Sequence, residues 1–199
     1  ESGIAQGEDT VRFAGEIHKS SQRLLTLIND ILRLSQLDSV EECVDTEAVD
    51  LYEMALNCRD MLEMQANKHH VVVRVKGDTE VIQANRRMME ELIYNLCDNA
   101  IRYNHSGGSV NVTIGKEDQH PFVAVKDTGI GVSKEDQERI FERFYRVDKS
   151  RSKSTGGTGL GLAITRSSIA MHHGIIKVSS KEGEGTTFTV KIPLSYIPS

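Results

Sequence analysis

Two spacings of apolar residues follow one another along this chain. Between Asp9 and Leu37, Ala14, Ile17, Leu24, Ile28 and Ile31 return at helical intervals, and Leu25, Leu27, Leu32 and Leu34 widen the stripe. No proline or turn cluster interrupts them, so the pattern predicts one long helix with an apolar face broad enough to need a partner. Before it, Ala5-Gln6-Gly7-Glu8 reads as a helix-to-helix turn with Gly7 as the stop signal. Residues 1–5 then read as the end of an earlier helix, most of which is expected to precede Glu1. Asp38 to Ala48 is acidic and aperiodic, which predicts a linker.

Past the linker, helical and alternating segments interleave. The spacing predicts helices over Val49–Gln65, Arg86–Tyr103 and Leu160–Met171. Strands are predicted at Val71–Val75, Glu80–Gln83, Val110–Ile114 and Phe122–Val125, with a closing hairpin of Ile175–Val178 and Thr187–Ile192. This order predicts an α+β molecule: a long helix, then a two-layer α/β sandwich with one mixed sheet covered by helices on one face. At 38% hydrophobic and 27% charged residues, the composition is that of a soluble globular protein. A net charge of −5 argues against a general nucleic-acid binder. Cys43, Cys58 and Cys97 lack metal-ligand spacing and read as reduced thiols of a cytoplasmic protein.

Three motifs on these elements carry chemistry. Glu91, Asn95, Asn99 and Tyr103 stand four apart and share one helix face, while Leu92, Ile93 and Leu96 face elsewhere and can pack. Asparagine is a poor mid-helix residue because its amide competes for backbone hydrogen bonds. Two of them a turn apart suit oxygen ligands for a hard cation such as Mg²⁺, with solvated amides as the ordinary alternative. In Val125-Lys126-Asp127-Thr128-Gly129-Ile130-Gly131, a carboxylate at a strand end can accept an exocyclic amine, and the glycines admit a flat ring close to the backbone. By itself this is also an ordinary turn. Gly156-Gly157-Thr158-Gly159-Leu160-Gly161 opens a helix, where unencumbered backbone N–H groups form an anion site. It lacks the Lys-Ser/Thr ending of a P-loop. Between the last two motifs, Arg139, Arg143, Arg146, Lys149, Arg151 and Lys153 oppose only Glu142 and Asp148, a local charge of about +4. With Phe141, Phe144 and Tyr145 as anchors, this stretch reads as a basic lid over phosphates, or else as a solvated loop.

The order of these pieces is more specific than any one of them. The asparagine helix, the Asp-x-Gly-x-Gly turn, the aromatic-basic lid, the glycine-rich helix start and Gly183-Glu184-Gly185-Thr186-Thr187-Phe188 resemble, in register, the N, G1, F, G2 and G3 boxes of the histidine-kinase branch of the GHKL ATPases. The resemblance covers about Val49 to Pro193, and the helix before it is also family-like. It implies a GHKL-type sandwich over residues 49–199, a linker over 39–48, and over 1–38 the remnant of a dimerisation hairpin, mainly its second helix. It implies ATP with Mg²⁺ under a lid. Asn95 and Asn99 would hold the metal, Arg102 would reach phosphate, Tyr103 would lie beside the adenine and Asp127 would read its amino group. Gly129, Ile130 and Gly131 would line the base pocket. Arg143 and Arg146 of the lid, Gly157, Thr158, Gly159, Leu160 and Gly161 of the glycine-rich box, and Thr187 of the last box would complete the nucleotide site. The resemblance further implies a protein-histidine kinase that is a homodimer in the full protein and has a cognate response regulator as partner. Such a protein would lie in the cytoplasm and meet the membrane only through segments outside this chain. Its rivals are another GHKL ATPase and a non-enzymatic nucleotide-binding module.

In that family the phosphoryl acceptor is a histidine followed by an acidic residue, on the first helix of the hairpin. The acid orients the ring and takes its proton while the γ-phosphate transfers in line. None of the seven histidines here is followed by Glu or Asp. His18 falls on the second helix and reads as structural, so autophosphorylation of this chain by itself is not expected. Adjacent side chains point apart, so His69-His70 and His172-His173 do not read as metal pairs either.

Overall fold

The computed structural model describes residues 8–39, 45–147 and 157–193. The long apolar period becomes α1 (Glu8–Ser39). It is followed by β1 (Glu47–Asp50), α2 (Leu51–His69), β2 (Val72–Gly77), β3 (Val81–Ala84), α3 (Arg86–Arg102), β4 (Ser109–Glu117) and β5 (His120–Asp127). A 3-10 turn (Arg139–Phe141), α4 (Gly161–Met171), β6 (Ile175–Lys181) and β7 (Gly185–Lys191) complete the described chain. The expected turn around Gly7 and the Lys149–Lys153 part of the basic stretch lie outside the described residues. No helix among the described residues is long and apolar enough to cross a membrane.

The main sheet runs β2-β4-β5-β7-β6 and is mixed: β2 lies parallel to β4, and the other pairs are antiparallel. Alternation sends Val110, Val112, Ile114, Val123, Val125 and Val190 to one face, where they meet Leu92, Ile93 and Leu96 of α3 and Leu62 of α2. All are essentially inaccessible to solvent. Truncating Leu96 to Ala in such a core would cost about 2–5 kcal/mol. Across the α2–α3 contact Cys58 and Cys97 lie buried and unbridged. A hydrogen bond to Cys58, and then burial, push the Cys97 thiol well above its ordinary pKa.

One segment departs from the pattern. The stretch ending the expected linker and opening the expected helix is a strand instead, because β1 pairs antiparallel with β3 as a separate two-stranded sheet. Val49 is thereby fully buried, and Asp50 caps α2 by accepting from Tyr52 N at 2.9 Å. Glu47-Ala48-Val49-Asp50 does not alternate apolar and polar residues, so no period announces a strand there. At the far end of α2, His70 takes the left-handed conformation (φ 54°) that closes the helix. Asn85 caps α3 through Met88 N at 3.0 Å.

Among the described residues, the apolar face of α1 is covered only near its C-terminal end. Leu34 and Leu37 pack on Leu160, Ala163 and Ile164, and Arg33 pairs with Glu91 of α3. Ile17, Leu24, Leu25 and Ile28 remain exposed.

Candidate functional site

The four-residue stripe predicted on α3 lines a cleft of about 780 Å³. Its walls are α3, the turn after β5, the aromatic-basic stretch through Val147, and the glycine-rich start of α4. Asn95 and Asn99 stand half-buried on this wall. Asn95 Nδ2 lies 3.5 Å from Gly161 O, so helix α3 touches the first turn of α4 at this point. A methyl group on Gly161 would already stand 3.6 Å from Asn95 Oδ1. Arg102, one turn beyond Asn99, pairs with Asp98 at 2.6 Å, and Asp98 also accepts from Gln65 of α2.

At one end of the cleft the backbone builds the surface. Asp127, 7% exposed, ends β5 with its Oδ1 accepting from Gly129 N at 2.8 Å and from Thr186 N at 3.2 Å. Burial pushes its pKa above the ordinary carboxylate value, and those backbone donors oppose the shift. The turn beyond it is strapped on both sides. Ile130 N donates to Tyr103 O at 3.0 Å, and Gly183 N donates to Ile130 O at 2.8 Å. Asn104 ties the end of α3 to β4 through Ser109 O at 3.1 Å and accepts from Thr128 Oγ1 at 3.2 Å. Gly131 holds φ at +70°, and a Cβ there would sit 2.0 Å from Lys181 O. A Cβ on Gly129 would sit 2.4 Å from Tyr103 O. Ser180 closes the web: its Oγ accepts from Val132 N at 2.8 Å and donates to Gly185 O at 3.0 Å.

At the other end side chains do most of the joining. Arg146 donates to Gly157 O, and Phe144 N donates to Gly159 O at 3.0 Å, so the basic stretch lies along the glycine-rich one. Phe141 anchors it edge-on to Phe188 at 6.2 Å, and the Arg139 guanidinium stacks 4.2 Å over Tyr145. Tyr145 in turn donates to Asp136, which holds that carboxyl below its usual range and raises the phenol. Thr158 Oγ1 donates to Asp30 Oδ2 of α1 at 2.6 Å. Asp30 and Thr26 therefore line the cleft from the N-terminal helix.

Most of the residues singled out in the sequence meet here. Asn95, Asn99, Arg102, Tyr103, Asp127, Ile130, Gly131, Arg146, Gly157, Thr158, Gly159 and Gly161 all line the cleft. Four others do not. Gly129 is buried under the turn, and Arg143 is exposed beside the cleft. Leu160 is fully buried against α1. Thr187 pairs with Lys126 on the opposite sheet face; strand alternation gives its place in the cleft to Thr186. Thr26, Asp30, Ser180 and Thr186 were missed. Only Thr186 had a signal, since it has the parity of buried Phe188 and Val190.

Similarity to known proteins points to the family that the order of the motifs resembles. A family profile described as histidine kinase-, DNA gyrase B-, and HSP90-like ATPase matches residues 84–196. The sensor-like histidine kinase SenX3 of Mycolicibacterium smegmatis is 39% identical over 191 residues, covering 95% of this chain and 50% of that protein. The chain thus spans half or less of the length of such relatives. In fold it superposes on full-length ShkA in complex with AMPPNP with a TM-score of 0.82 at 24% identity, covering 100% of this chain and 42% of that one. It also superposes on the histidine kinase ThkA in complex with the response regulator TrrA, with a TM-score of 0.76 at 23% identity, covering 98% and 54%.

Proposed function

The chain belongs to the histidine kinase-, DNA gyrase B- and HSP90-like ATPase family, and from that premise we propose that it is the Mg-ATP-binding catalytic part of a sensor histidine kinase. The observation that carries this reading is one cleft that gathers Asn95 and Asn99, Asp127, and the Gly157–Gly161 stretch, three motifs far apart in sequence. Asp127 receives the exocyclic amine of adenine. Its Oδ1 is already engaged by two backbone donors, which leaves Oδ2 for the ligand. Guanine would present a carbonyl oxygen there, and an unpaired buried acceptor costs about 1–3 kcal/mol. Tyr103 and Ile130 flank the base.

The phosphates extend toward the backbone N–H groups that open α4, with Arg146 and Thr158 beside them. The donor set on α3 fits a hard cation: Asn95 and Asn99 offer amide oxygens one turn apart on the cleft wall. Bound there, Mg²⁺ would neutralise phosphate charge during phosphoryl transfer. The acceptor is a protein histidine outside this chain. In the full protein the kinase is a homodimer in the cytoplasm, attached to the membrane by other segments and paired with a cognate response regulator.

The test is calorimetry with ATP and GTP, with and without Mg²⁺, followed by incubation with labelled ATP and a separate acceptor-helix protein. Mg-dependent ATP preference and acid-labile label on the acceptor are the expected results. ATP hydrolysis without transfer would favour another ATPase of the family, and equal ATP and GTP binding would refute the pocket.

A further inference from the structure

The sheet face turned away from the helices has a composition of its own. Residues Arg74 and Lys76 of β2, Lys126 of β5, Lys177 and Lys181 of β6 and Lys191 of β7 all have the outward parity that the strand register fixes. Their neighbours on the central strands are neutral: Ser109, Asn111, Thr113, Thr187 and Thr189. Glu117 is the one acidic strand residue of that parity among the described residues, and its carboxylate is taken up by Lys191, which holds its pKa down. Lys181 pairs with Glu184 of the adjoining turn. Arg74, Lys76 and Lys126 make no ion pair with any described residue, and all three are exposed. A chain of net charge −5 has therefore gathered a cationic surface on one face. Five strands make that face roughly 20–25 Å wide.

We propose that this face docks on an anionic lipid surface. The composition favours that occupant over other polyanions. Protein interfaces are depleted in lysine and enriched in aromatics and arginine, whereas five of these six cations are lysines. Single-stranded nucleic acid is held by aromatic platforms. Phe122 is the one Phe, Tyr or Trp of this parity on the central strands, and it lies on Gly115, with a ring carbon 3.0 Å from where a Cβ would be. Lysine is a compact charge on a flexible stem with no directional fork, which suits a fluid array of headgroups. Exposed apolar side chains sit on the two outermost strands, Val72 on β2 and Ile175 on β6, at the same parity. The nucleotide cleft opens on the helical side of the sheet, so it stays accessible when the sheet is docked.

The experiment is co-sedimentation of the whole chain with phosphatidylcholine vesicles, with and without about one-third phosphatidylglycerol. Binding should appear only with the anionic lipid and weaken as salt is raised. Each cation near an anionic bilayer strengthens binding roughly five-fold. The double variant Lys126→Glu/Lys177→Glu should therefore lose at least ten-fold in partitioning. A thermal melt and ATP-analogue binding check that this variant is folded. Lys68→Glu, at the end of α2, reverses one charge off the face and should leave vesicle binding unchanged. Absence of anionic-vesicle binding overturns the proposal, as does equal loss in the Lys68 variant. If a short RNA or duplex DNA is bound as tightly as the vesicles, and the same double variant abolishes it, the lipid assignment falls and the face is a general polyanion site.

Discussion

The two ends of the cleft are built by different means. Around Asp127 the surface is backbone, closed on itself by bonds from Gly129, Thr186, Ile130 and Gly183, with no room for a β-carbon at Gly129 or Gly131. Around Gly157–Gly161 it is joined chiefly by side chains of separate elements, Asn95, Arg146, Thr158 and Asp30, with one backbone bond from Phe144 to Gly159. A base is flat and always the same shape, so a rigid template recognises it without rearrangement. On the proposed reading a triphosphate with a metal would enter, react and leave, and a wall joined mainly by single bonds between elements opens at a small cost for each.

The largest effect should come from adding one methyl group at the templated end. Gly131→Ala combines a left-handed backbone with a Cβ 2.0 Å from Lys181 O, so a loss of more than about 3 kcal/mol in chemical denaturation is expected. Gly183→Ala sharpens the point, because its φ is also positive (+78°) but nothing lies within 4 Å. It should cost only about 1 kcal/mol. Equal losses in the two would break the claim that close approach, rather than backbone conformation, makes this end rigid.

At the other end, Asn99→Ala should leave the melting temperature within a few degrees but weaken Mg-ATP at least ten-fold, about 1.4 kcal/mol. Asn95→Ala should weaken it less. Unchanged calorimetric affinity in Asn99→Ala would remove the metal assignment.

Asp127 tests the template from the electrostatic side. Burial raises its folded pKa, so the folded chain holds that proton more readily than the unfolded one. The resulting stability is full below the unfolded value of about 3.9 and is lost as pH rises through the raised folded value. At pH 7 the ionised carboxylate is thus a burden on the empty fold. Asp127→Asn should raise the melting temperature of the nucleotide-free chain at pH 7, by an amount that shrinks toward pH 4, while eroding preference for ATP over GTP. A lower melting temperature at pH 7 would show that the two backbone bonds need the charge.

The smallest effect concerns α1. Asp30→Ala removes its bond to Thr158 but leaves Leu34 and Leu37 packed on α4. Hydrogen exchange in the last turns of α1 should quicken by roughly ten-fold or less, the worth of about one hydrogen bond. No change would mean that the apolar contact alone docks the helix.

The same division governs what the sequence could tell. Local periods placed α1, α3 and α4, because those features are set within a few residues, whereas Asp127 and Gly131 are singled out by the order of the motifs, their own stretch reading equally as an ordinary turn. β1 escaped because its pairing with β3 is the whole reason it is a strand. Asp30 and Ser180 escaped because their partners, Thr158 and Val132, are 128 and 48 positions away and no local pattern reports them. Thr186 and Thr187 belong to one motif, and the parity that Thr186 shares with Phe188 and Val190 is the signal that separates them, which the register of β7 on β5 makes explicit.

The buried thiol pair behind α3 has a kinetic consequence. A thiolate is the form that alkylating reagents attack, and Cys97 is both enclosed and held in its protonated form. Its labelling must therefore wait for α2 and α3 to separate. Because Cys97 lies between Asn95 and Asn99 on the helix that bears them, the labelling rate becomes a clock for how often this wall of the cleft loosens. A Cys43→Ser background would remove the cysteine outside the described residues. In that background, slower labelling when nucleotide is added would time the stiffening of the asparagine helix, with no probe beyond sulfur atoms the chain already carries.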